Sequence, residues 1–83
     1  MLFIKVLGPG CANCQKVEAA ARNAVVNMGI PAEITKVTDR AQIRAYNVLA
    51  TPGLVINEKL VAAGRIPSDA DVMIWIANAL MTA

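Results

Sequence analysis

Between residues 2 and 28 the apolar pattern changes its period once. Leu2-Phe3-Ile4-Lys5-Val6-Leu7 is a short, nearly continuous apolar run closed by Gly8-Pro9-Gly10. A run of this length bounded by turn residues reads as a strand buried on both faces. From Cys14 onward, apolar side chains recur at Val17, Ala21, Ala24, Val25 and Met28, with Gln15, Lys16, Arg22 and Asn23 left mainly for other faces. That is the spacing of an amphipathic helix. Gly29 suits the helix C-terminus, and Pro31 blocks continuation. A buried strand feeding at once into a helix restricts the chain to an α/β layer arrangement.

The remainder extends this pattern. Residues 32–37, Ala-Glu-Ile-Thr-Lys-Val, alternate as a strand with one face well buried. Thr38 or Asp39 can cap a short helix through residues 40–48, with Ile43 and Val48 or Tyr46 directed inward. Two short apolar runs, Leu54-Val55-Ile56 and Leu60-Val61-Ala62-Ala63, joined by Asn57-Glu58-Lys59, read as a β-hairpin. Pro67-Ser68-Asp69 opens a helix from about residue 70 to 81, whose apolar stripe is Val72, Trp75, Ile76, Ala79 and Leu80. Met73, Ile74, Ala77 and Met81 make that helix apolar around most of its circumference, so it is either deeply packed or partly an oligomer contact. The order is β-α-β-α-β-β-α, with the first two strands parallel and the hairpin antiparallel. No repeat or linker interrupts it, and residues 1–83 are expected to form one domain.

Composition excludes several function classes. The chain has 83 residues, 57% of them hydrophobic and 17% charged, far from the profile of a disordered segment. Its net charge is +2, its Lys and Arg residues do not cluster, and it has one each of Phe, Tyr and Trp. A nucleic-acid surface needs a basic patch and stacking aromatics, and neither is present. No stretch approaches the ~20 apolar residues of a membrane span. The N-terminal run lacks a basic segment ahead of it and a small-residue cleavage pattern, so it reads as a strand rather than an export signal. The expected compartment is the reducing cytoplasm.

Cys11 and Cys14 are the only cysteines, separated by Ala12-Asn13 at the turn from the first strand into the first helix. In a reducing compartment a lone Cys-X-X-Cys points to redox catalysis or metal binding rather than to a structural staple. Only a thiolate attacks a disulfide, and an ordinary thiol near pKa ~8.5 is mostly protonated at neutral pH. A Cys11 at the start of the helix would lie near orphan backbone N–H groups and the positive end of the helix dipole, which stabilise a thiolate. This makes Cys11 the nucleophile and the more buried Cys14, one turn on, the resolving thiol. The chain has no histidine, which excludes Cys–His acyl transfer. Lys5 and Lys16 are read as solvated charges, and Trp75 as a core residue.

Cys11-Ala12-Asn13-Cys14 at the first strand–helix turn, Thr51-Pro52 ahead of the hairpin and Gly64 after its second strand together resemble the thioredoxin fold in its minimal form. More narrowly, the chain is similar to the small thioredoxin- or glutaredoxin-like redox-active disulfide proteins of prokaryotes. The resemblance implies a four-stranded mixed sheet with three helices and a disulfide-reductase activity. It also implies a cis-proline loop at Thr51-Pro52 packed beside the cysteines, and a substrate-binding rim that includes Gly10, Ala12, Asn13, Thr51 and Pro52. The implied partners are a disulfide-bearing protein substrate and, upstream, a thioredoxin-reductase-like enzyme or glutathione. No cofactor is called for, and a monomer is expected over a dimer. Ala12-Asn13 replaces the Gly-Pro of thioredoxins and the Pro-Tyr of many glutaredoxins, and Gly10 stands where thioredoxins usually carry tryptophan.

Two other readings use the same thiols. Thiolates suit soft ions, so a Cu(I) or Zn carrier of the heavy-metal-associated type is the first. Those domains usually carry a methionine shortly before the first cysteine and end in a strand, whereas Pro9-Gly10 and a helical C-terminal segment stand here. The second is a non-catalytic adaptor whose cysteines sense redox state.

Overall fold

A computed structural model describes residues 2–9, 12–48 and 50–81. The elements run β1 (Leu2–Leu7), α1 (Ala12–Met28), β2 (Ala32–Val37), α2 (Arg40–Ala45), β3 (Gly53–Ile56), β4 (Lys59–Ala63) and α3 (Asp69–Met81). The strands form one sheet in the order β2-β1-β3-β4. β1 pairs parallel with β2, Ile4 opposite Ile34, and antiparallel with β3, Ile4 opposite Ile56. β4 runs antiparallel to β3, and the register steps between Leu54 and Val55, so Val61 has no opposite residue. The four-stranded mixed sheet with three helices is the architecture expected from the sequence.

The sheet separates two apolar clusters. On one face Leu2, Ile4 and Val6 of β1 meet Val17, Ala21 and Ala24 of α1, Leu54 and Ile56 of β3, and Val72 and Ile76 of α3. The alanines on α1 let that helix lie close to the strands. Each fully buried Ile or Leu here contributes about 1.5–3 kcal/mol relative to exposure. On the opposite face α2 supplies Ile43, which packs with Leu7, Val37 and Val55.

Helix α2 has only six residues, so it covers only one end of its face. This corrects the expectation that β1 is buried on both sides: Leu7 is fully buried, but Phe3 at the uncovered end is 48% exposed. Lys5, between them, is not a lone solvated charge. Its Nζ donates to Tyr46 Oη at 2.7 Å and Glu58 Oε1 at 2.7 Å, and the Tyr46 hydroxyl donates to Glu58 Oε2 at 2.9 Å. β2, an edge strand, buries only Val37 fully.

The helix ends follow local chemistry. Asp39 caps α2 by accepting from the Ala41 N–H at 2.8 Å. The helix stops at Ala45, short of the expected Val48, because Asn47 takes φ 60°. Ser68 Oγ accepts from the Asp71 N–H at 3.1 Å, and Asp69 and Asp71 place negative charge in the first turn of α3. Gly29 closes α1 at φ 65°. Along α3, Val72 and Ile76 are fully buried and Trp75 and Ala79 pack at the margin, but Leu80 is 48% exposed and lies outside the buried stripe expected of it.

The hairpin turn is two residues rather than three. Asn57 and Glu58 have φ 49° and 69°, the double positive φ of a type I′ turn, while Lys59 already belongs to β4. Asn57 also extends the ladder to β1, donating from its N–H to Phe3 O at 2.8 Å and accepting from the Phe3 N–H on Oδ1 at 3.0 Å.

Candidate functional site

The site is assembled where the C-terminal end of β1 and the start of β3 meet the first turn of α1. Gly10 and Cys11 lie outside the described residues. Ala12 and Asn13 open α1 and are exposed, whereas Cys14 faces inward and is 5% exposed. The helical phase accounts for this, because Cys14 heads the buried series Val17, Ala20, Ala21, Ala24.

Gly8 makes room for the sulfur. Its N–H donates to Val37 O at 3.0 Å, continuing the pairing of β1 with β2. A Cβ at position 8 would run into Cys14 Sγ, and it would lie 3.8 Å from Thr51 Cβ. The cysteine sulfur and Thr51 therefore approach the same point of the backbone, the end of β1. The sequence reading gave Gly8 a turn-forming role; the structure shows that its missing side chain accommodates Cys14.

Thr51 is exposed, Pro52 is buried, and the peptide bond between them is cis, as expected. Gly64 seats this loop. Its N–H donates to Pro52 O at 2.8 Å, it has φ 73°, and a Cβ there would meet Ala50 Cβ at 2.9 Å.

Two depressions flank the region. A small one of about 40 Å³ is lined by Val6, Gly8, Cys14, Gln15, Lys36 and Thr38. A wider cleft of about 290 Å³ is lined by Pro9, Thr38, Arg40, Ile43, Arg44 and Thr51. Thr38 borders both. Of these residues, sequence reasoning had weighed Thr38 only as a helix cap and had not singled out Lys36, Arg40 or Arg44 for function. The signal for the arginines was their spacing of four on a short helix, but only the folded chain brings that helix beside Thr51.

The electrostatics near Cys14 involve Glu18, one turn further along α1. Its carboxylate accepts from Arg22 at 2.9 Å and from Lys36 at 3.1 Å, and these bonds, Arg22 first, hold its pKa below the ordinary glutamate value. Lys5 belongs to the α2 face, where Glu58 and then Tyr46 raise its pKa. Lys16 is exposed on α1. Trp75 lies away from Cys14, half-buried on the core margin with the Arg65 guanidinium 5.4 Å from its ring centroid.

Comparison with known proteins agrees with this geometry. Residues 2–77 match the profile of a family described as the thioredoxin domain. A thioredoxin from Methanothermobacter thermautotrophicus is 40% identical over 72 residues, covering 87% of this chain and 94% of the relative. A thioredoxin from Methanocaldococcus jannaschii is 40% identical over 68 residues, covering 82% and 78%. Among solved structures, one reported as thioredoxin-2, a component of the malaria parasite protein secretion machinery, superposes with a TM-score of 0.70 at 15% identity, covering 94% of this chain and 82% of that one. Another, described as a malarial protein, gives a TM-score of 0.70 at 16% identity, covering 96% and 98%. With a matching family profile over most of its length and relatives at 40% identity, this chain belongs to the thioredoxin domain family.

Proposed function

We propose that residues 1–83 act as one thioredoxin-like protein-disulfide reductase using the dithiol of Cys11-Ala12-Asn13-Cys14. Family membership supports a thiol–disulfide oxidoreductase role in general. The observation that carries the specific reading is the convergence of Cys14 Sγ and Thr51 on Gly8, with the cis Thr51–Pro52 bond behind it.

In this reading the Cys11 thiolate attacks one sulfur of a substrate disulfide. A Cys11–substrate mixed disulfide forms, and the other substrate sulfur leaves as a thiolate that takes a proton from water. The Cys14 thiolate then attacks Cys11 Sγ, closing the Cys11–Cys14 disulfide and releasing the second substrate thiol. Two electrons pass from the protein to the substrate, and an external two-electron thiol donor, one dithiol or two monothiols, restores the reduced form. Gly10, Ala12, Asn13, Thr51 and Pro52 form the rim against which an extended substrate segment lies. The donor is a thioredoxin-reductase-like enzyme or glutathione, and the protein works as a cytoplasmic monomer. No helix among the described residues is long and apolar enough to cross a membrane.

The test is an equilibrium redox titration of metal-stripped protein, with alkylated thiols counted by mass. A reversible two-electron couple at or below about −230 mV is the expected result for a reductant. A potential near about −120 mV would indicate an oxidant and overturn the direction. Failure to form any intramolecular disulfide would overturn the redox reading and turn attention to copper and zinc. In parallel, Cys11→Ser must abolish dithiol-dependent turnover.

A further inference from the structure

Arg40 and Arg44 stand four residues apart on α2, so they are neighbours on one helix surface. Both line the cleft that opens beside Thr51 and Pro9. Neither forms an ion pair with a described residue: the ion pairs present join Lys5 with Glu58, and Glu18 with Arg22 and Lys36. Asp39, the carboxylate nearest along the chain, is turned to the Ala41 N–H as the cap of α2. Two like charges at this spacing disfavour the helix that carries them. A short helix holding an uncompensated pair breaks a local rule, and such breaks concentrate at functional sites.

The surroundings carry the same sign. Among the described residues lining the two depressions are Lys36, Arg40 and Arg44, and no carboxylate. Lys36 is paired with Glu18 at 3.1 Å, so the charges of the cleft that have no ion-pair partner among the described residues are those of the two arginines. Thr38 borders both depressions, the small one beside Cys14 and the cleft lined by Thr51, Arg40 and Arg44. Ile43 gives the cleft an apolar lining that takes the methylenes of a side chain, and the guanidiniums suit a carboxylate at its end.

We propose that this cleft is a specificity subsite that selects protein disulfides flanked by acidic residues, with Arg40 and Arg44 receiving a Glu or Asp side chain of the segment lying across Thr51. This rests on the reductase reading above and names the class of substrate that the same site takes. The arginines position the substrate and take no part in the exchange of sulfur bonds.

Single-turnover reduction by the pre-reduced protein, with no donor present, tests it. The substrates are disulfide peptides identical except for two Glu, two Gln or two Lys residues beside one cysteine. Two exposed charge pairs of ordinary strength give a Glu-over-Gln rate preference of about tenfold at low salt, shrinking as salt is added. The preference falls toward unity in Arg40→Gln/Arg44→Gln, survives in Arg40→Lys/Arg44→Lys, and turns in favour of the Lys peptide in Arg40→Glu/Arg44→Glu. A Glu-over-Gln ratio that Arg40→Gln/Arg44→Gln leaves unchanged overturns the proposal. Arginine dependence seen with oxidised glutathione but not with the peptides also overturns it. The same peptides with a non-reducible thioether in place of the disulfide are titrated by fluorescence anisotropy. If no peptide is reduced, the reductase reading fails while arginine-dependent binding of the Glu thioether still supports the subsite. If neither reduction nor binding responds to the arginines, the subsite fails by itself.

Discussion

Cys14 Sγ occupies the space that a side chain on Gly8 would need. Both positions are buried, and Gly8 is held by its hydrogen bond to Val37 O, so neither side of the contact has a free path of retreat. Gly8→Ala is therefore expected to displace the sulfur and the first turn of α1. Overpacking of this size costs about 1–3 kcal/mol. Denaturant unfolding measures that loss, and alkylation of the reduced protein should show a change in Cys14 reactivity. An unchanged midpoint together with unchanged reactivity would contradict the close approach.

Glu18 makes stability depend on acid. Its bonds to Arg22 and Lys36 lower its folded pKa, so the contribution is fully present above the ordinary glutamate value near ~4.3 and is lost as pH falls through the lowered one. Glu18→Gln should be less stable than the natural protein at pH 7, with the gap narrowing toward pH ~3. Glu58, whose pKa Lys5 and then Tyr46 hold down, should leave some acid sensitivity in the variant. Urea midpoints of both proteins across this range provide the measurement. A gap that stays constant with pH would show that the Glu18 pairs contribute nothing.

Asn57 has two roles at the hairpin, accepting from the Phe3 N–H and adopting φ 49°. Asn57→Ala removes the acceptor and places a residue poorly suited to the left-handed region, at a cost of about 1–2 kcal/mol. Asn57→Gly keeps the backbone conformation easy and loses only the side-chain bond, so it should be the milder change. Thermal unfolding of the two variants should rank them in that order.

Two positions on α3 separate packing from hydrophobicity. Ile76 is fully buried, and Ile76→Ala should cost about 2–5 kcal/mol through lost burial and the cavity left behind. Leu80 is 48% exposed, so Leu80→Ala should stay within about 0.5 kcal/mol. Comparable losses at both positions would mean that Leu80 is covered in solution, as the oligomer-contact reading of this helix requires.

Much of this protein is legible along the chain. The change of period after Gly10, the capping residues Asp39 and Ser68, the stop at Gly29 and the Thr51-Pro52 pair are local signals, and local backbone chemistry suffices to place the elements they bound. Other features follow only from which elements meet. Phe3 and Leu7 lie on the same face of one strand, yet Phe3 is half exposed and Leu7 is buried, because α2 is too short to cover both. Leu80 fits the helical rhythm that buries Ile76, yet it stays 48% exposed. Gly8 reads as a turn residue until the first turn of α1 brings the Cys14 sulfur against it. Arg40 and Arg44 belong to no motif in the sequence, and only the folded chain brings them to one cleft with Thr51. Periodicity and capping depend on residues within one or two turns of each other, so the elements could be read from the order of residues. Burial and the composition of a cleft depend on contacts between residues far apart in the chain, and those exist only once the sheet has formed.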